Sequence, residues 1–301
     1  MQNDQFTNQI IKLKTDHGHV LNVIDWGNKG AKTPFIFLHG GPGGHIKDHH
    51  KENFDPTRHR VIFFDQRGCG ESTPYGSTDH NTTEELIKDI TKIADHFKIK
   101  DFNLYGYSWG STLALAYAIA NPARVRNLVI GGVYSGRNDF SNMFSRLKTF
   151  YPEMHNTIIQ NTPETHRKDP TTFHQQNILN GTKEEQKKSA YLIGNLEYAL
   201  MNYDLPTLEP FEDFDPSPII IENHYVANDC FLPQDHIIKN APRITAKTYI
   251  VQGRSDFVTP PDFAYQLVEK LPHAQIFWAD SNHHSRREIH SIFRTICALI
   301  A

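Results

Sequence analysis

A serine between two glycines is the first group in this sequence that could act as a nucleophile. The stretch GYSWG at 106–110 matches the pattern G-x-S-x-G, with Ser108 at its centre. In that pattern a sharp strand-to-helix turn exposes the serine hydroxyl above a sheet, and the glycines avoid crowding by side chains. An apolar run at 102–105 precedes Ser108 and an Ala- and Leu-rich segment follows it, which is the context that the pattern requires. The structural alternative is that these glycines only let a strand and a helix cross closely.

A serine hydroxyl needs a base to become nucleophilic, and that base needs a carboxylate to orient it. In this architecture the acid and then the histidine follow the serine, each after a later strand. Asp256 comes just after one predicted strand, and His283 and His284 come just after the next. Asp280 is the competing acid, but it is too near the histidines in sequence to come from a separate strand end. Spacing alone leaves both histidines open as the base.

A glycine loop and one backbone amide could stabilise the oxyanion of an acyl-transfer reaction. The loop is FLHGGPGGH at 37–45, directly after a predicted strand, and the amide is that of Trp109, the residue after the serine. The alternatives are a flexible turn or a phosphate loop, and the phosphate loop fails because no G-K-[ST] follows. His45 and His49 are four residues apart, but without an acidic partner in a zinc-enzyme pattern we predict no metal site.

The elements that would position these groups are strands alternating with helices. This rhythm covers 1–137 and returns at 243–301, which predicts a mostly parallel sheet covered by helices on both faces. Residues 138–242 are helical and polar in pattern, and their one strand-like apolar run is 219–221. We therefore expect an α/β core with an inserted helical cap.

Composition excludes several other classes of function. The net charge of −3, without a basic stripe, predicts no binding to nucleic acid. No segment approaches the roughly 18 apolar residues of a membrane span. The three cysteines, Cys69, Cys230 and Cys297, are far apart and odd in number, which favours a reducing compartment. Because the N-terminus also lacks the apolar region of a secretory signal, we expect a cytoplasmic protein.

Taken together, these motifs resemble those of the proline iminopeptidases (prolyl aminopeptidases), serine peptidases of the α/β-hydrolase fold. The matching stretches are HGGPGG at 39–44, DQRGCGES at 65–72, YSWGSTLALAYA at 107–118, IENHY at 221–225 and GRSDFVTPP at 253–261. They extend over nearly the whole chain, and the D-Q-R-G-C-G-x-S string is the most specific. The resemblance implies the α/β-hydrolase fold with a helical cap.

The resemblance also implies a catalytic triad and an oxyanion hole: Ser108, Asp256 and His284, with the backbone amides of Gly41 and Trp109. His284 is favoured over its neighbour because the family reads Gly-His-Ser there, and His284-Ser285 matches the last two residues. The glycine of that motif is His283 in this chain, which is a departure from the family.

In the family, acidic residues of the cap bind the free N-terminal amine of the substrate. The positions that match are Glu197 and Glu222, with Arg137 matching an arginine that helps to hold the acidic cluster. Phe140 matches a residue that lines the proline pocket. A second aromatic position of that pocket is Val226 here, which predicts a less strict preference for proline.

These residues predict a serine exopeptidase that releases an N-terminal residue, preferentially proline, from short peptides through an acyl-enzyme. No metal or organic cofactor is required by that chemistry. The alternatives are a broader aminopeptidase of the same family, a lipophilic esterase with the same triad, and a non-catalytic binding protein on the same scaffold. An epoxide hydrolase or dehalogenase is disfavoured, because those enzymes have an aspartate where this chain has Ser108.

Overall fold

The computed structural model describes residues 6–137, 139–202, 210–284 and 286–300, and its strands form a single eight-stranded sheet. The strands are β1 (Phe6–Lys14), β2 (Val20–Asn28), β3 (Phe35–Leu38), β4 (Arg60–Phe64), β5 (Phe102–Tyr107), β6 (Val125–Gly131), β7 (Lys247–Gly253) and β8 (Ala274–Ala279). The α-helices are α1 (Thr83–His96), α2 (Trp109–Ala120), α3 (Phe140–Phe150), α4 (Pro152–Gln160), α5 (Pro170–Asn180), α6 (Lys183–Asn202), α7 (Ser217–Val226), α8 (His236–Asn240), α9 (Pro261–Lys270) and α10 (Arg286–Leu299). Over the residues that are described, no helix combines the length and the apolar character needed to cross a membrane.

The order of strands places the carboxyl ends of β3 and β5 side by side. Across the sheet the order is β1-β2-β4-β3-β5-β6-β7-β8, with β1–β2 and β2–β4 antiparallel and the other pairs parallel. The chain leaves β3 towards β4 on one side and then crosses to β5 on the other. Ligands of such sheets bind in the crevice where the direction reverses, beyond the carboxyl ends of the strands.

Helices cover both faces of the sheet, as its buried parallel strands require. On one face α1, α2 and α9 pack through side chains such as Ile90, Leu113 and Leu267. On the other face α10 packs through Phe293 and Ile296. The predicted α/β-hydrolase arrangement, a mostly parallel sheet flanked by helices, is confirmed.

A helical cap is inserted between β6 and β7. Helices α3 to α7 share an apolar core that includes Leu147, Ile158 and Ile193. The strand-like run 219–221 lies in α7, so it is helical rather than extended. The division of the chain at 138–242 stays a prediction: Asn138 lies outside the described residues, and Ile237 of α8 packs with the core of the sheet.

The cap contacts the core at the glycine loop that follows β3. A Cβ atom on Gly43 would lie 2.2 Å from the backbone oxygen of Pro218, so the loop meets the first turn of α7 at backbone distance. Nearby, the Tyr75 hydroxyl donates a hydrogen bond to the Asp215 carboxylate just before α7. The loop that borders the crevice therefore lies directly under the cap.

Candidate active site

Ser108 occupies a strained turn between β5 and α2. Its backbone has φ 56° and ψ −127°, a conformation that costs a non-glycine residue about 1–3 kcal/mol. The flanking glycines are required by close approach: a Cβ on Gly106 would lie 2.1 Å from the Gly110 oxygen, and one on Gly110 would lie 2.2 Å from the Leu38 oxygen. The turn thus holds the serine at the carboxyl edge of the sheet, as the G-x-S-x-G pattern predicts.

A carboxylate and an imidazole meet at the same edge. Oδ2 of Asp256, which follows β7, lies 2.8 Å from Nδ1 of His283, which follows β8. The Asp256 carboxylate also accepts hydrogen bonds from the Thr259 backbone N–H and hydroxyl, each at 2.8 Å, and both partners of the pair are buried. An aspartate on Nδ1 places the proton there and leaves Nε2 of His283 as the basic nitrogen. His283 and Ser108 line one common cavity.

The prediction that His284 pairs with Asp256 is wrong, because the imidazole in contact is that of His283. The Tyr107 hydroxyl donates to the His283 backbone oxygen at 2.7 Å, and the two rings lie with centroids 5.2 Å apart. This contact turns His283 inwards, whereas the next side chain along the chain, His284, is exposed. Ser285, whose match to the family favoured His284, lies outside the described residues.

The glycine loop and the start of α2 lie against the serine. A Cβ on Gly40 would lie 3.4 Å from Cβ of Ser108, so the loop touches the turn. Gly41 has φ +112° and no room for a Cβ, which would lie 2.6 Å from the Gly44 nitrogen. Trp109 is the first residue of α2, where backbone N–H groups lack partners within the helix and the helix dipole favours negative charge. This placement supports an oxyanion hole formed by the amides of Gly41 and Trp109, which stays a prediction.

A buried glutamine, to which the sequence analysis gave no role, links the two parts of the predicted oxyanion hole, the glycine loop and Trp109. Gln66 Oε1 accepts from Nε1 of Trp109 at 2.8 Å, and its Nε2 donates to the His39 oxygen at 2.9 Å. Nε2 of His39 accepts from the Gln66 backbone at 3.0 Å, so Nδ1 carries the proton and donates to the Gly40 oxygen. Burial lowers the pKa of His39 to about 4, so this ring stays neutral. The only signal in the sequence was the specific D-Q-R-G string.

Two glutamates of the cap face the serine across a second cavity of about 350 Å³. Glu197 of α6 and Glu222 of α7 line this cavity together with Ser108. Burial raises the pKa of Glu197 to about 7. The pKa of Glu222 lies well above its usual value, because of burial and then because of the neighbouring Glu197, to which it is hydrogen-bonded. Two such neighbouring carboxyls share a proton, because two negative charges buried side by side repel each other.

Comparison with known proteins agrees with this constellation. The family model described as alpha/beta hydrolase fold matches residues 33–285. A proline iminopeptidase of Arabidopsis thaliana is 35% identical over 279 residues, which cover 89% of this chain and 73% of the relative. One of Xanthomonas citri is 32% identical over 286 residues, which cover 92% of this chain and 90% of the relative. This chain belongs to the proline iminopeptidase family.

Solved structures share the α/β-hydrolase fold. The proline iminopeptidase of Mycobacterium smegmatis has a TM-score of 0.65 at 20% sequence identity, over 97% of each chain. An esterase of Exiguobacterium antarcticum has a TM-score of 0.66 at 18% identity, over 98% of this chain and 99% of the other. Since esterase and peptidase scaffolds fit equally well, the fold alone does not distinguish their substrates.

The residues expected from the proline iminopeptidase family are only partly brought together in the cap. Phe140 is buried and lines the cavity of the two glutamates, and Val226 lines it as well. The guanidinium of Arg137 donates to Asp235 at 2.9 Å, and Arg137 is not among the described residues that line that cavity, so its predicted role stays a prediction. Arg137 therefore pairs with a carboxylate directly before α8. In the glutamate pair, the negative charge is reduced by the shared proton.

The histidines of the glycine loop do not form a recognisable metal centre. In the described ranges there is no group of three or more His, Cys, Asp or Glu side chains that could hold a metal ion. The absence of a cofactor stays a prediction from the chemistry, which a serine, an imidazole and backbone amides can perform.

Proposed function

We propose that this protein is a serine exopeptidase that releases an N-terminal residue, preferentially proline, from short peptides with a free N-terminus. The reaction class is hydrolysis through an acyl-enzyme on Ser108, with His283 as the base and Asp256 as the residue that orients it. These roles are supported by the 2.8 Å contact between His283 and Asp256 and by the cavity that His283 shares with Ser108.

The observation that carries the proposal is the pair of cap glutamates opposite the serine. A peptide whose first residue enters their cavity brings a positively charged amine to Glu197 and Glu222. The amine supplies a positive charge to a pair of carboxyls that forms no ion pair within the described part of the chain, and the proton that the carboxyls share passes to solvent as the amine binds. A buried ion pair that loses one partner costs about 3–5 kcal/mol, so a peptide with a blocked N-terminus would bind poorly. The anchored amine leaves only the first carbonyl within reach of Ser108.

Acylation begins when Nε2 of His283 takes the proton from the Ser108 hydroxyl as its oxygen attacks the carbonyl carbon. The negative charge that develops on the carbonyl oxygen is stabilised by the N–H groups of Gly41 and Trp109. The tetrahedral intermediate then collapses as the protonated His283 gives its proton to the nitrogen of the leaving amine, and the C–N bond breaks. Asp256 keeps the imidazole in one tautomer and stabilises its charged form.

Deacylation repeats these steps with water. His283 takes a proton from water as its oxygen attacks the acyl carbon, and the same proton returns to Ser108 when the ester bond breaks. The free N-terminal amino acid then leaves the glutamate cavity. A compact ring suits this cavity because Phe140 supplies an apolar wall beside the carboxyls.

A broader aminopeptidase is the second candidate. Val226 lines the cavity where the family has an aromatic residue, and its smaller side chain leaves more room for Leu or Ala side chains. Discrimination by apolar contacts alone is worth about 10- to 200-fold per methylene, so the preference for proline is one of degree.

The test uses prolyl, leucyl and alanyl β-naphthylamides with the purified protein, and Ser108→Ala as the blank. We expect kcat/KM for the prolyl substrate to exceed the other two at least about tenfold. Glu222→Gln should lower kcat/KM for the prolyl substrate about 100-fold or more, because the isosteric amide cannot pair with the amine.

The matched control is p-nitrophenyl acetate, an ester with no amine. Its cleavage by Glu222→Gln should stay within a few-fold of the wild-type rate, because the nucleophile and base are unchanged. An equal loss on both substrates would mean that Glu222 supports the site structurally rather than capturing the amine.

We also infer that the protein works in the cytoplasm. All three cysteines are buried and unpaired with each other, and burial raises the pKa of the Cys69 and Cys230 thiols to about 12. Such thiols are inert as nucleophiles and suit a reducing compartment, where short peptides are also present as substrates.

A further inference from the structure

The cavity that His283 and Ser108 line together has a volume of about 250 Å³ and adjoins the glutamate cavity at Ser108. It lies between the glycine loop, the short 3-10 helix Asp48–Asn53 and α10, and aromatic rings such as Phe37 and Phe293 form part of its wall. Its volume is below the ~300–1,000 Å³ of pockets for drug-sized ligands, which leaves room for about one residue of a peptide.

The position of the base indicates which part of the peptide faces this cavity. This step rests on the proposed function. The N-terminal residue occupies the glutamate cavity, so the leaving part of the peptide extends from Ser108 towards the base that protonates it. His283 lines the 250 Å³ cavity and is not among the residues that line the glutamate cavity within the described chain. The residue after the scissile bond therefore faces the 250 Å³ cavity.

The lining of this cavity is basic. It includes Lys47 and seven histidines, and none of the described residues that line it is an aspartate or a glutamate. The pKa of His50 is lowered to about 2, mainly by burial and then by the neighbouring groups His49, His39, Lys47 and His290, all of which line the same cavity.

The neutral state of His50 fixes which of its nitrogens is a donor. Its Nδ1 accepts a hydrogen bond from the Lys47 backbone N–H at 3.0 Å, so the proton of the neutral ring is on Nε2. The lining of this cavity thus includes both an N–H donor, on His50, and the ammonium side chain of Lys47. A carboxylate accepts hydrogen bonds and pairs with a cation, and it is the group that this lining lacks.

We propose that the 250 Å³ cavity is the leaving-group subsite, and that it selects peptides whose second residue carries a carboxylate. The free C-terminus of a prolyl dipeptide and the side chain of an acidic second residue both supply this group. Lys47, like Ser108, lines both cavities, and among the described residues of their linings it is the one lysine or arginine. Its solvent exposure makes the selection sensitive to salt.

The test compares substrates that differ only in this charge. The pairs are prolylglycine against prolylglycinamide, and prolyl-aspartyl amide against prolyl-asparaginyl amide, measured as kcat/KM at low salt with the full-length protein. We expect the carboxylate member to exceed its neutral partner about tenfold in at least one pair, and the pair that shows it identifies C-terminus or side chain as the source.

Lys47→Met removes the charge and keeps the length of the side chain, so the ratio within the pair should fall towards one. Lys51→Met is the matched control: Lys51 is on the same segment, pairs with Asp48 at 3.0 Å and does not line the cavity, so the ratio should not change. A ratio near one for both pairs in the wild-type protein overturns the proposal, as does an unchanged ratio in Lys47→Met.

Prolyl β-naphthylamide separates this outcome from failure of the proposed function, because its leaving group has no carboxylate. If the wild-type protein cleaves it and both ratios are near one, only the subsite proposal fails. If the wild-type protein cleaves neither it nor any prolyl peptide, the proposed function fails and the subsite proposal fails with it.

Discussion

The two cavities that meet at Ser108 are built from opposite chemistry. The cavity under the cap is lined by the carboxyls of Glu197 and Glu222, whereas the described lining of the cavity beside α10 has seven histidines and no carboxylate; Lys47 lines both. In both, burial favours the neutral form: it raises the pKa of Glu197 to about 7 and lowers that of His50 to about 2. Each cavity is therefore prepared for a charge that the ligand brings.

The two linings also come from different parts of the chain. The glutamates are on cap helices α6 and α7, while the histidines are in loops and helices of the α/β core. The bond is cleaved by Ser108 and His283 whichever peptide is bound, whereas the residues of the two cavities select the peptide. Choice of substrate is therefore separated from the chemistry of bond cleavage. Variants can test that separation by affecting one cavity, the other, or the group between them.

The largest effect is expected for His283→Ala. Because His283 is the base for both acylation and deacylation, kcat should fall about 10⁴-fold on every substrate. His284→Ala should instead keep kcat within about tenfold for prolyl β-naphthylamide, because Asp256 contacts the other imidazole. Steady-state kinetics with both variants decide the assignment, and the reverse ranking would restore His284 as the base.

A smaller effect is expected for Gln66→Met, which removes the buried amide that links Trp109 to His39. The loss of its hydrogen bonds to Trp109 and His39 should lower kcat about 10- to 100-fold, because one misplaced oxyanion donor costs up to about 10²–10³. KM should change little, and prolyl β-naphthylamide and prolylglycine should be affected alike. A change in KM alone, or in one substrate only, would contradict a role at the oxyanion hole.

The smallest expected effect concerns the free energy of unfolding, which should depend on pH in opposite directions for Glu197 in one cavity and His39 in the other. The folded pKa of Glu197 is about 7 against an ordinary 4.5, so the folded state holds the extra proton and the free energy of unfolding falls as the pH rises between those values. The slope is at most about 1.4 kcal/mol per pH unit for one proton. His39, with a pKa of about 4 against 6.5, acts oppositely, since the unfolded state binds more protons there and stability falls as the pH falls.

Urea unfolding between about pH 5 and pH 7 separates these contributions. The double variant Glu197→Gln/Glu222→Gln should lose the decline towards pH 7 and keep the decline towards pH 5. Parallel curves for the variant and the wild-type protein would mean that the glutamates do not hold an excess proton in the folded state.

The sequence predicted the interior of the fold better than its edge. The apolar runs predicted as strands before the glycine loop, Ser108, Asp256 and His283 are β3, β5, β7 and β8 of the structure. The edge strand β1 was not predicted, because Phe6 and Ile10 are 51% and 63% exposed and the segment therefore lacks a clear alternation. The run 219–221 is too short for periodicity to distinguish a strand from a helix, and it forms part of α7.

In the site, the sequence was informative where a residue's neighbours determine its position. Ser108 has its glycines beside it, and Asp256 directly follows a strand. Two adjacent histidines could not be told apart, since the choice depends on the hydrogen bond from Tyr107 to the His283 oxygen, 176 residues away in the chain. Likewise Arg137 pairs with Asp235, a partner that no local pattern indicates.

The backbone contact between Gly43 and Pro218 bears on the exchange of caps between relatives. A Cβ at position 43 would lie 2.2 Å from the Pro218 oxygen, so the position of the first turn of α7 above the sheet has to match the shape of the glycine loop. A chimera with a foreign cap would keep its loop geometry only if the transplanted helix began at that height. Grafts should therefore be designed with residues 39–44 and the first turn of α7 transferred as one unit.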